Sequence, residues 1–462
     1  MSDVTPRAVR ATGDAEICVI VPTIREYECV REYVANAREH GFDTDRLHFV
    51  LVTEDFCDTE AMRAMLDELA VSGRVFDESA REAWFQRHGL EAYSHLIPEA
   101  SHAQTSFGLL YLWDEGFQLG GFLDDDTLPH EETDFFGRHA RNLDFAGEVT
   151  AVSSDEQWVN VLYQNGDEHG LYPRGYPYAA MDEHVSESTV RVEHGEIVAS
   201  QGLWTNVPDL DAVRILMDGD LRGQAETRTT TDDYGEDFVA DRGNYLTVCS
   251  MNLLFRREVV PAFYQLPMDD NEWDVGRFDD IWSGLFLKRA ADLLGKRIYN
   301  GRPLCEHNKA PRSTFSDLTN EVHGLELNEH VWELLDEVDP RPLPTDAVDA
   351  YRTVFRAMAD AFAEGSFDDW ENGEFLVYCG EYMHDWLDAL AALDGERVGQ
   401  PSARDADTRD ATTSEASPSD ASPGEVSPSD ASPGEVSPGD PSSPTAASEE
   451  TTTEEEYVTT DD

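Results

Sequence analysis

Three short apolar runs, each followed directly by polar or acidic residues, constrain the fold of this 462-residue chain more than any other feature. Their length and composition predict buried strands, and segments with apolar residues at helical spacing lie between them. These three strands are predicted over residues 17–22 (ICVIVP), 47–53 (LHFVLVT) and 120–123 (GGFL). A further short strand is predicted over 75–76, and helices over 23–39, 60–69 and 101–113. This alternation predicts an α/β fold with an open, mostly parallel sheet flanked by helices.

The ends of these runs carry groups that suit a ligand site. Sheets of this kind bind ligands at the carboxyl ends of their strands, where Thr23 and the triplet Asp124-Asp125-Asp126 lie. Alternation along an extended chain would place Asp124 and Asp126 on one side and Asp125 on the other. Two carboxylates and two phosphate oxygens satisfy a hard divalent cation, Mn²⁺ or Mg²⁺. A solvated turn is the alternative interpretation of the triplet.

The charge balance limits the partners of the chain. It has 95 acidic and 34 basic residues, a net charge of −61, and only three lysines. Such a surface is similar to those of proteins from salt-saturated cytoplasm, where a Debye length of roughly 3 Å or less screens the repulsion. Nucleic acid is not an expected partner, because phosphate binding needs a basic patch.

The cysteines and the hydropathy pattern predict a location. Six cysteines without a CxxC pair predict free, mostly buried thiols in a reducing cytoplasm. No apolar run approaches the roughly 18 residues of a membrane span, so no direct membrane span is expected. The first residues also lack the apolar stretch of a signal peptide.

Two acidic residues, Asp279 and Asp280, lie between aromatic residues in the segment GRFDDIWSG (276–284). A pair of acids in this setting is unlike a run of surface charge. It favours contacts with sugar hydroxyls or acid–base chemistry, which makes both residues candidate catalytic groups. Capping of the following helix by Asp279 is the alternative interpretation.

One of the three lysines lies close to a histidine in the segment EHNKA (306–310). The ammonium group of Lys309 suits a diphosphate as a point charge. An imidazole nitrogen of His307 suits a third position on a metal that Asp124 and Asp126 hold. We therefore expect Lys309 to bind a nucleotide sugar and His307 to bind the metal; a surface loop without a ligand is the alternative.

Two aromatic segments are candidates for the sugar side of the site, PRGYPY (173–178) and GLWTNVPD (202–209). Aromatic faces stack on sugar rings, and amide groups bond to hydroxyls, although Trp and Tyr are equally common in protein cores. On this basis Trp204 and Asn206 are candidate sugar-binding residues, and Arg174 is a candidate catalytic residue. The chain has neither a glycine-rich phosphate loop nor a GxSxG nucleophile motif.

Composition and pattern divide the chain into parts. The tail is rich in Ser, Pro and Asp and repeats SPSDASPGEV, which predicts disorder, because proline and low hydrophobicity oppose a packed core. The predicted parts are a flexible leader (1–15), a nucleotide-sugar domain (16–335) with a nucleotide half (about 16–130) and a sugar or acceptor half (about 131–335), a helical extension (336–398) and the tail (399–462).

Seven segments form an ordered set of motifs. They are IVPTIR (20–25), FLDDDT (122–127), RGYPY (174–178), GLWTNVPDLDA (202–212), CSMNLLFRRE (249–258), GRFDDIWSG (276–284) and HNKA (307–310). In this order they resemble the reversibly glycosylated polypeptides, a family also called UDP-arabinopyranose mutases and, in older naming, alpha-1,4-glucan-protein synthases. The resemblance covers roughly residues 16–335.

The resemblance implies a GT-A-like glycosyltransferase fold, a UDP-sugar ligand and a divalent metal, usually manganese. It matches the triplet 124–126 to the metal and nucleotide-sugar site, and Thr23 and Arg25 to the nucleotide-binding edge of the first strand. It further implies pyranose–furanose interconversion of UDP-arabinose or self-glycosylation on an arginine, in the service of cell-surface polysaccharide or glycoprotein assembly. Members of the family often assemble, so the resemblance implies a homo-oligomer or an assembly with related family members.

The chain departs from the family pattern at two places. Met181 stands at the position of the glycosylated arginine, and Gln104-Thr105-Ser106 stands where the family has an arginine. A thioether cannot replace a guanidinium as a sugar acceptor. Three hypotheses therefore stay open: a UDP-sugar mutase, a metal-dependent glycosyltransferase with an external acceptor, and a non-catalytic nucleotide-sugar-binding subunit.

Overall fold

The computed structural model describes residues 16–24, 27–99, 101–163, 170–181, 184–269 and 271–399. The predicted leader, Arg25 and the repeat tail from residue 400 lie outside these ranges. All six cysteines are described; they are free, and five of them are buried, as the sequence predicted.

The first part of the fold is a parallel sheet built around one fully buried strand. In chain order its elements are β1 (Ile17–Pro22), α1 (Cys29–Glu39), β2 (Leu47–Val52), α2 (Thr59–Leu69), β3 (Ser72–Phe76), α3 (Glu78–Arg87), α4 (Gln104–Glu115) and β4 (Leu119–Leu123). β1 pairs in parallel with β2 and with β4, and β3 continues the sheet beyond β2. Residues 17–21 have no exposed surface, because this strand lies between β2 and β4 and α4 packs on it.

The second part extends the same sheet with mixed strand directions. Its elements are β5 (Thr127–Pro129), α5 (Phe135–Leu143), β6 (Gly147–Ser154), β7 (Val185–Val192), β8 (Ile197–Asn206), α6 (Ala212–Asp218), β9 (Phe238–Ala240), β10 (Asn252–Arg256), α7 (Asp279–Leu293) and β11 (Arg297–His307). Short 3-10 helices occur at 44–46, 91–96, 178–180, 231–233 and 257–262. From β4 the sheet continues as β10-β8-β11-β9-β6-β7, and β5 pairs with β11. β10 runs antiparallel to both neighbours, whereas β11 runs parallel to β8.

Three helices follow the sheet: α8 (Thr314–Glu337), α9 (Ala347–Ala363) and α10 (Glu374–Gly399). Trp386 of α10 stacks on Tyr264 with ring centroids 4.7 Å apart, and Phe286 of α7 packs edge-on against Phe355 of α9. These aromatic contacts pack α9 and α10 against the preceding part of the chain, and Trp332 of α8 packs edge-on against Trp158. The predicted open α/β sheet with flanking and C-terminal helices is therefore confirmed, while the predicted domain boundaries stay predictions.

Two helices begin later than the sequence predicted. α1 begins at Cys29 and not at Thr23, because the Thr23 hydroxyl bonds to Asp125 and residue 23 still extends β1. α4 begins at Gln104 and not at Ser101. The Ser101 hydroxyl accepts a hydrogen bond from the Ala103 N–H at 3.0 Å and donates one to Asp269 at 2.7 Å, so residues 101–103 form a turn before the helix.

Candidate functional site

A cleft of about 240 Å³ opens where β1 and β4 end, beside the end of β11 and the beginning of α7. This is the edge at which the sequence predicted a ligand site. Besides backbone and apolar groups, its wall contains five aspartates, four cationic side chains and two histidines. They are Asp124, Asp126, Asp209, Asp279, Asp280, Arg174, Arg277, Lys309, Arg312, His102 and His307.

The aspartate triplet lies in the turn that follows β4. Each of its residues offers a carboxylate oxygen, and the three oxygens lie within 4.8 Å of one another. Asp124 and Asp126 line the cleft, whereas Asp125 Oδ2 accepts a hydrogen bond from Thr23 Oγ1 at 2.8 Å. The sequence predicted this arrangement from the alternation of side chains along a strand. That reason is wrong, because β4 ends at Leu123 and the turn itself brings the three carboxylates together.

His307 lies at the end of β11, against the triplet. Its Nδ1 donates a hydrogen bond to the Val207 carbonyl at 2.7 Å, which leaves Nε2 facing Asp126 Oδ1 at 3.6 Å. Burial lowers the pKa of His307, but the Asp126 carboxylate outweighs burial and the net shift of this pKa is upward. An Nδ1–H bonded to a carbonyl is the usual arrangement behind a metal ligand that binds through Nε2.

The donor set of this corner fits a divalent cation. Asp126 Oδ1 is buried and has no hydrogen-bond partner in the described part of the chain. Burial, followed by the charges of Asp126 and Asp125, raises the pKa of Asp124 to about 7. Crowded carboxylate oxygens are the ligands that Mg²⁺ and Mn²⁺ prefer.

Four cationic side chains line the same cleft, although the chain has only 34 basic residues against 95 acidic ones. Arg277 Nε lies 2.8 Å from Glu321 Oε1, and Arg312 Nε lies 2.8 Å from Asp317 Oδ2, so α8 holds both arginines. Lys309 is 7% exposed, and among the described residues no ion pair holds its ammonium group. Burial lowers the pKa of Lys309, and Asp209 partly opposes that shift. This ammonium is therefore available to an anionic ligand.

Arg174 joins two aspartates on the other side of the cleft. Its Nε lies 3.2 Å from Asp209 Oδ2 and its Nη2 lies 3.0 Å from Asp280 Oδ2. Burial acts to raise the pKa of Asp209, but Arg174, together with Lys309, His307 and Arg277, outweighs burial, and the net pKa is well below its usual range. Burial, followed by the charge of Asp280, raises the pKa of Asp279 to about 6. Asp279 is thus a carboxyl group that can exchange a proton near neutral pH.

The alternative in which Asp279 caps α7 is not what the structure has. Phe278 occupies the N-cap position without a side-chain hydrogen bond, and Asp279 and Asp280 form the first turn of the helix. Both carboxylates are less than 10% exposed and line the cleft. A helix N-terminus favours negative charge, which helps to hold two acids so close together.

The prediction that Trp204 and Asn206 bind the sugar needs correction, because neither residue lines the cleft. Trp204 lies in the middle of the sheet in β8 and is 2% exposed, as a core tryptophan would be. Asn206 donates from Nδ2 to Glu306 Oε1 at 3.2 Å and to Asn308 Oδ1 at 3.1 Å, so its amide ties two strand ends together. Both residues were chosen by type alone, and residue type does not determine side-chain direction.

Several lining residues were missed as site candidates. Asp209 and Arg277 lie inside quoted motifs, and the link of Asp209 to Arg174 becomes visible only in three dimensions. Arg277 has φ +62°, a rare backbone state for a residue with a side chain, and this state turns it toward α8. Thr105 and Gln265 carry no sequence signal, although Thr105 lies in one of the two departures from the family pattern.

The two departures have different surroundings. Met181 does not line the cleft; it packs against the core, and its Sδ lies 3.8 Å from Arg214 Nη1. In the segment 104–106, Gln104 bonds to Glu54, Thr105 lines the cleft, and Ser106 binds the backbone of Gln265. Thr23 acts on Asp125 rather than on the cleft wall, and Arg25 lies outside the described residues.

Comparison with known proteins gives a consistent family. The family model described as "Reversibly glycosylated polypeptide" matches residues 124–393. The chain is 31% identical over 272 residues to a probable UDP-arabinopyranose mutase 2 of Solanum tuberosum, a match that spans 58% of this chain and 65% of that protein. It is 32% identical over 175 residues to UDP-arabinopyranose mutase 1 of Arabidopsis thaliana, which spans 38% of this chain and 43% of that protein. The chain thus spans less than two thirds of these curated relatives.

Comparison with solved structures finds a glycosyltransferase of low similarity. A mannosyltransferase from Pyrobaculum calidifontis, in complex with GDP-Man and Mn²⁺, is similar with 14% identity and a TM-score of 0.33, covering 85% of this chain and 88% of that chain. A score this low adds nothing to the description of the sheet given above. Within the described residues, no helix has both the length and the apolar character that crossing a membrane requires.

Proposed function

Because this chain belongs to the family of the reversibly glycosylated polypeptides, we propose that it is an enzyme that binds a UDP-sugar in the cleft and acts on the bond between the anomeric carbon and the diphosphate. The observation that carries the proposal is the meeting of an aspartate triplet with four cationic side chains in one cleft of a chain with a net charge of −61. Mutase activity, as in the names of the relatives, is the form that we favour.

Asp124, Asp126 and His307 would hold a divalent metal, with Asp125 fixed beside them by Thr23. The carboxylate oxygens of this set suit manganese or magnesium. When bound, such an ion supplies positive charge that stabilises the diphosphate as it separates from the sugar. The unsatisfied Asp126 Oδ1 supports this assignment.

The cations of the cleft would bind the phosphate groups of the nucleotide. Lys309 offers a buried point charge, and Arg312 and Arg277 offer guanidinium groups already held in place by α8. A compact ammonium and rigid guanidinium forks suit phosphate oxygens in different ways. Because carboxylates dominate the rest of the surface, an anionic ligand would meet attraction chiefly at this cleft.

Asp279 is the group that would move a proton. In a pyranose–furanose interconversion one ring hydroxyl loses its proton as it closes a new ring, and the former ring oxygen gains a proton, so no net proton is consumed. A carboxyl group with a pKa raised to about 6 can accept the first proton and return the second. Asp280 would stay paired with Arg174 and would fix the position of Asp279 at the start of α7.

Transfer to an external acceptor is the second candidate. Met181 occupies the position at which the family resemblance implies a glycosylated arginine, and Met181 does not line the cleft. This observation favours a reaction without self-glycosylation, either as a mutase or as a glycosyltransferase. A subunit that binds a nucleotide sugar without turnover is the third candidate, and it predicts binding alone.

The test is product analysis with UDP-arabinopyranose and Mn²⁺ in molar KCl. A UDP-furanose product supports a mutase, free UDP with a glycosylated acceptor supports a transferase, and metal-dependent binding without products supports the binding subunit. Asp279→Asn should lower turnover by about 10²- to 10⁴-fold, the usual contribution of a general acid–base group, while UDP binding stays within a factor of two. Absence of metal-dependent UDP binding by the wild-type protein would refute the proposal.

We also propose a reducing, salt-rich cytoplasm as the place of this activity. The support is the acidic composition, with 95 acidic and 34 basic residues, and the six free cysteines. A homo-oligomer stays a prediction that size measurement in molar KCl would check.

A further inference from the structure

The backbone of Gln265 is fixed at the wall of the cleft by a residue from the first part of the sheet. Ser106 Oγ donates a hydrogen bond to the Gln265 carbonyl at 2.9 Å and accepts one from the Gln265 N–H at 3.0 Å. Ser106 has no exposed surface and belongs to α4, which packs on β1. The position of Gln265 therefore does not depend on its own side chain.

The side chain of Gln265 lacks what a buried amide normally has. The residue is 1% exposed and lines the cleft, and its Nε2 has no hydrogen-bond partner among the described residues. More than nine in ten buried polar groups in native proteins are paired, because an unpaired one costs folding free energy. An unpaired amide in the wall of a ligand cleft indicates a partner on the ligand.

The neighbours of Gln265 indicate which part of a ligand would contact its side chain. Thr105, next to Ser106 on α4, also lines the cleft, as does His102. His102 and Asp269 influence the ionisation of Asp279, so this group of residues surrounds the proposed acid–base residue. Lys309, Arg312 and His307 interact instead with Asp209 and Asp126, at the metal corner. Arg174 acts on both groups, and the cleft therefore has a phosphate side and a second side around Asp279.

We propose that Gln265 is a specificity-determining residue that hydrogen-bonds to a hydroxyl of the sugar ring on the Asp279 side of the cleft. The inference rests on the proposed function, because it assumes that a UDP-sugar occupies the cleft. The amide donates to the hydroxyl oxygen, and the Asp279 carboxylate accepts from a hydroxyl of the same ring. A site built this way discriminates against sugars that lack the matching hydroxyl, since the amide would then stay unpaired.

The test compares UDP-arabinopyranose with UDP in the wild type and in Gln265→Met, with Mn²⁺ present throughout. The variant should bind the UDP-sugar roughly 3- to 10-fold more weakly, the loss of one neutral hydrogen bond, and should bind UDP as the wild type does. Among monodeoxy analogues of the sugar nucleotide, one should bind equally well to both proteins. Gln265→Leu provides a second apolar variant should methionine pack badly.

A stability readout separates this role from a structural one. Because the amide is unpaired without ligand, Gln265→Met should leave the melting temperature unchanged or raise it by roughly 1–3 °C. The matched control is Tyr351→Phe, which also removes an unpaired buried polar atom but lies on α9, outside the cleft wall. It should behave similarly in stability and should not change sugar binding.

The outcomes are distinguishable. A fall in the unliganded melting temperature of both Gln265 variants, or equal weakening of UDP and UDP-sugar, would show a structural role and overturn the inference. Unchanged sugar binding in a variant that still binds UDP would also overturn it and leave the proposed function intact. Among these measurements, failure of the wild type to bind UDP in the presence of Mn²⁺ is the result that would count against the proposed function itself.

Discussion

Replacing Arg174 by methionine should cost about 3–5 kcal/mol of folding free energy, because it removes one partner of buried ion pairs and leaves the others charged. Arg174 lies 3.0 Å from one oxygen of Asp280 and 3.2 Å from one of Asp209, and the three side chains are each 11% exposed. Water therefore cannot replace the guanidinium. Methionine retains the volume of the aliphatic stem, so the loss reports charge rather than a cavity.

The pH dependence of this variant gives a stricter test. In the wild type the pKa of Asp209 is depressed, so its pairing contributes stability above the unfolded pKa of about 3.9 and loses it as the pH falls through lower values. Without Arg174, only Lys309, His307 and Arg277 oppose burial, so the pKa of Asp209 should rise from its depressed value. Protonation then relieves the stranded charge, so the deficit of the variant should shrink as the pH falls from about 7 to about 5.

The assay is urea denaturation followed by tryptophan fluorescence in molar KCl at both pH values. Salt at this concentration screens exposed pairs but not a buried pair at 3 Å. Arg191→Met is the control, because Arg191 and Glu193 are 72% and 69% exposed, and it should change stability by less than about 1 kcal/mol. The double variant Arg174→Met, Asp280→Asn should recover part of the loss. Equal losses for Arg174 and Arg191, or a deficit that does not depend on pH, would refute the reasoning.

Three further predictions follow from other parts of the fold. Burial lowers the pKa of His139 to about 4, so stability should fall by up to about 3 kcal/mol as the pH drops from about 6.5 to 4, and His139→Gln should flatten that slope in pH-dependent denaturation. Gly120→Ala places a methyl group against the Phe255 ring, where no space is left for it, and should cost about 1–3 kcal/mol in the same assay. Met181→Arg should take up no labelled sugar from a UDP-sugar, because residue 181 does not line the cleft and lies beside Arg214; labelling at that arginine would contradict this.

The parts of the fold that the sequence predicted are those that local pattern determines. The apolar run 17–22 is β1 to the residue, and the acids after residue 123 do meet at a ligand cleft. The β11–β8 and β6–β9 pairings join segments far apart in sequence, and irregular aromatic stretches gave no period from which to derive them. Local patterning is read from neighbours along the chain, whereas these pairings depend on contacts that only the folded sheet creates.

The site divides in the same way. Asp124, Asp126, His307 and Lys309 were singled out from residue types and motif order, and all four line one cleft. These residues could be recognised in the sequence because only three lysines occur in the chain and because the triplet directly follows an apolar strand. Gln265 could not be found in this way, because its meaning comes from an unpaired atom and from a serine 159 residues away.

The distribution of charge explains why α8 belongs to the site and is not an accessory helix. A strongly acidic chain that binds a diphosphate must keep some cations from being neutralised by surface carboxylates. Asp317 and Glu321 of α8 bind Arg277 and Arg312 through side-chain nitrogens, which fixes two arginines at the cleft while their forks retain further N–H donors. Lys309 has three donors and no such anchor among the described residues, so its whole ammonium group stays available. Two arginines are fixed by acids, and Lys309 has no ion-pair partner in the described part of the chain. In this way a chain of net charge −61 can still attract an anion.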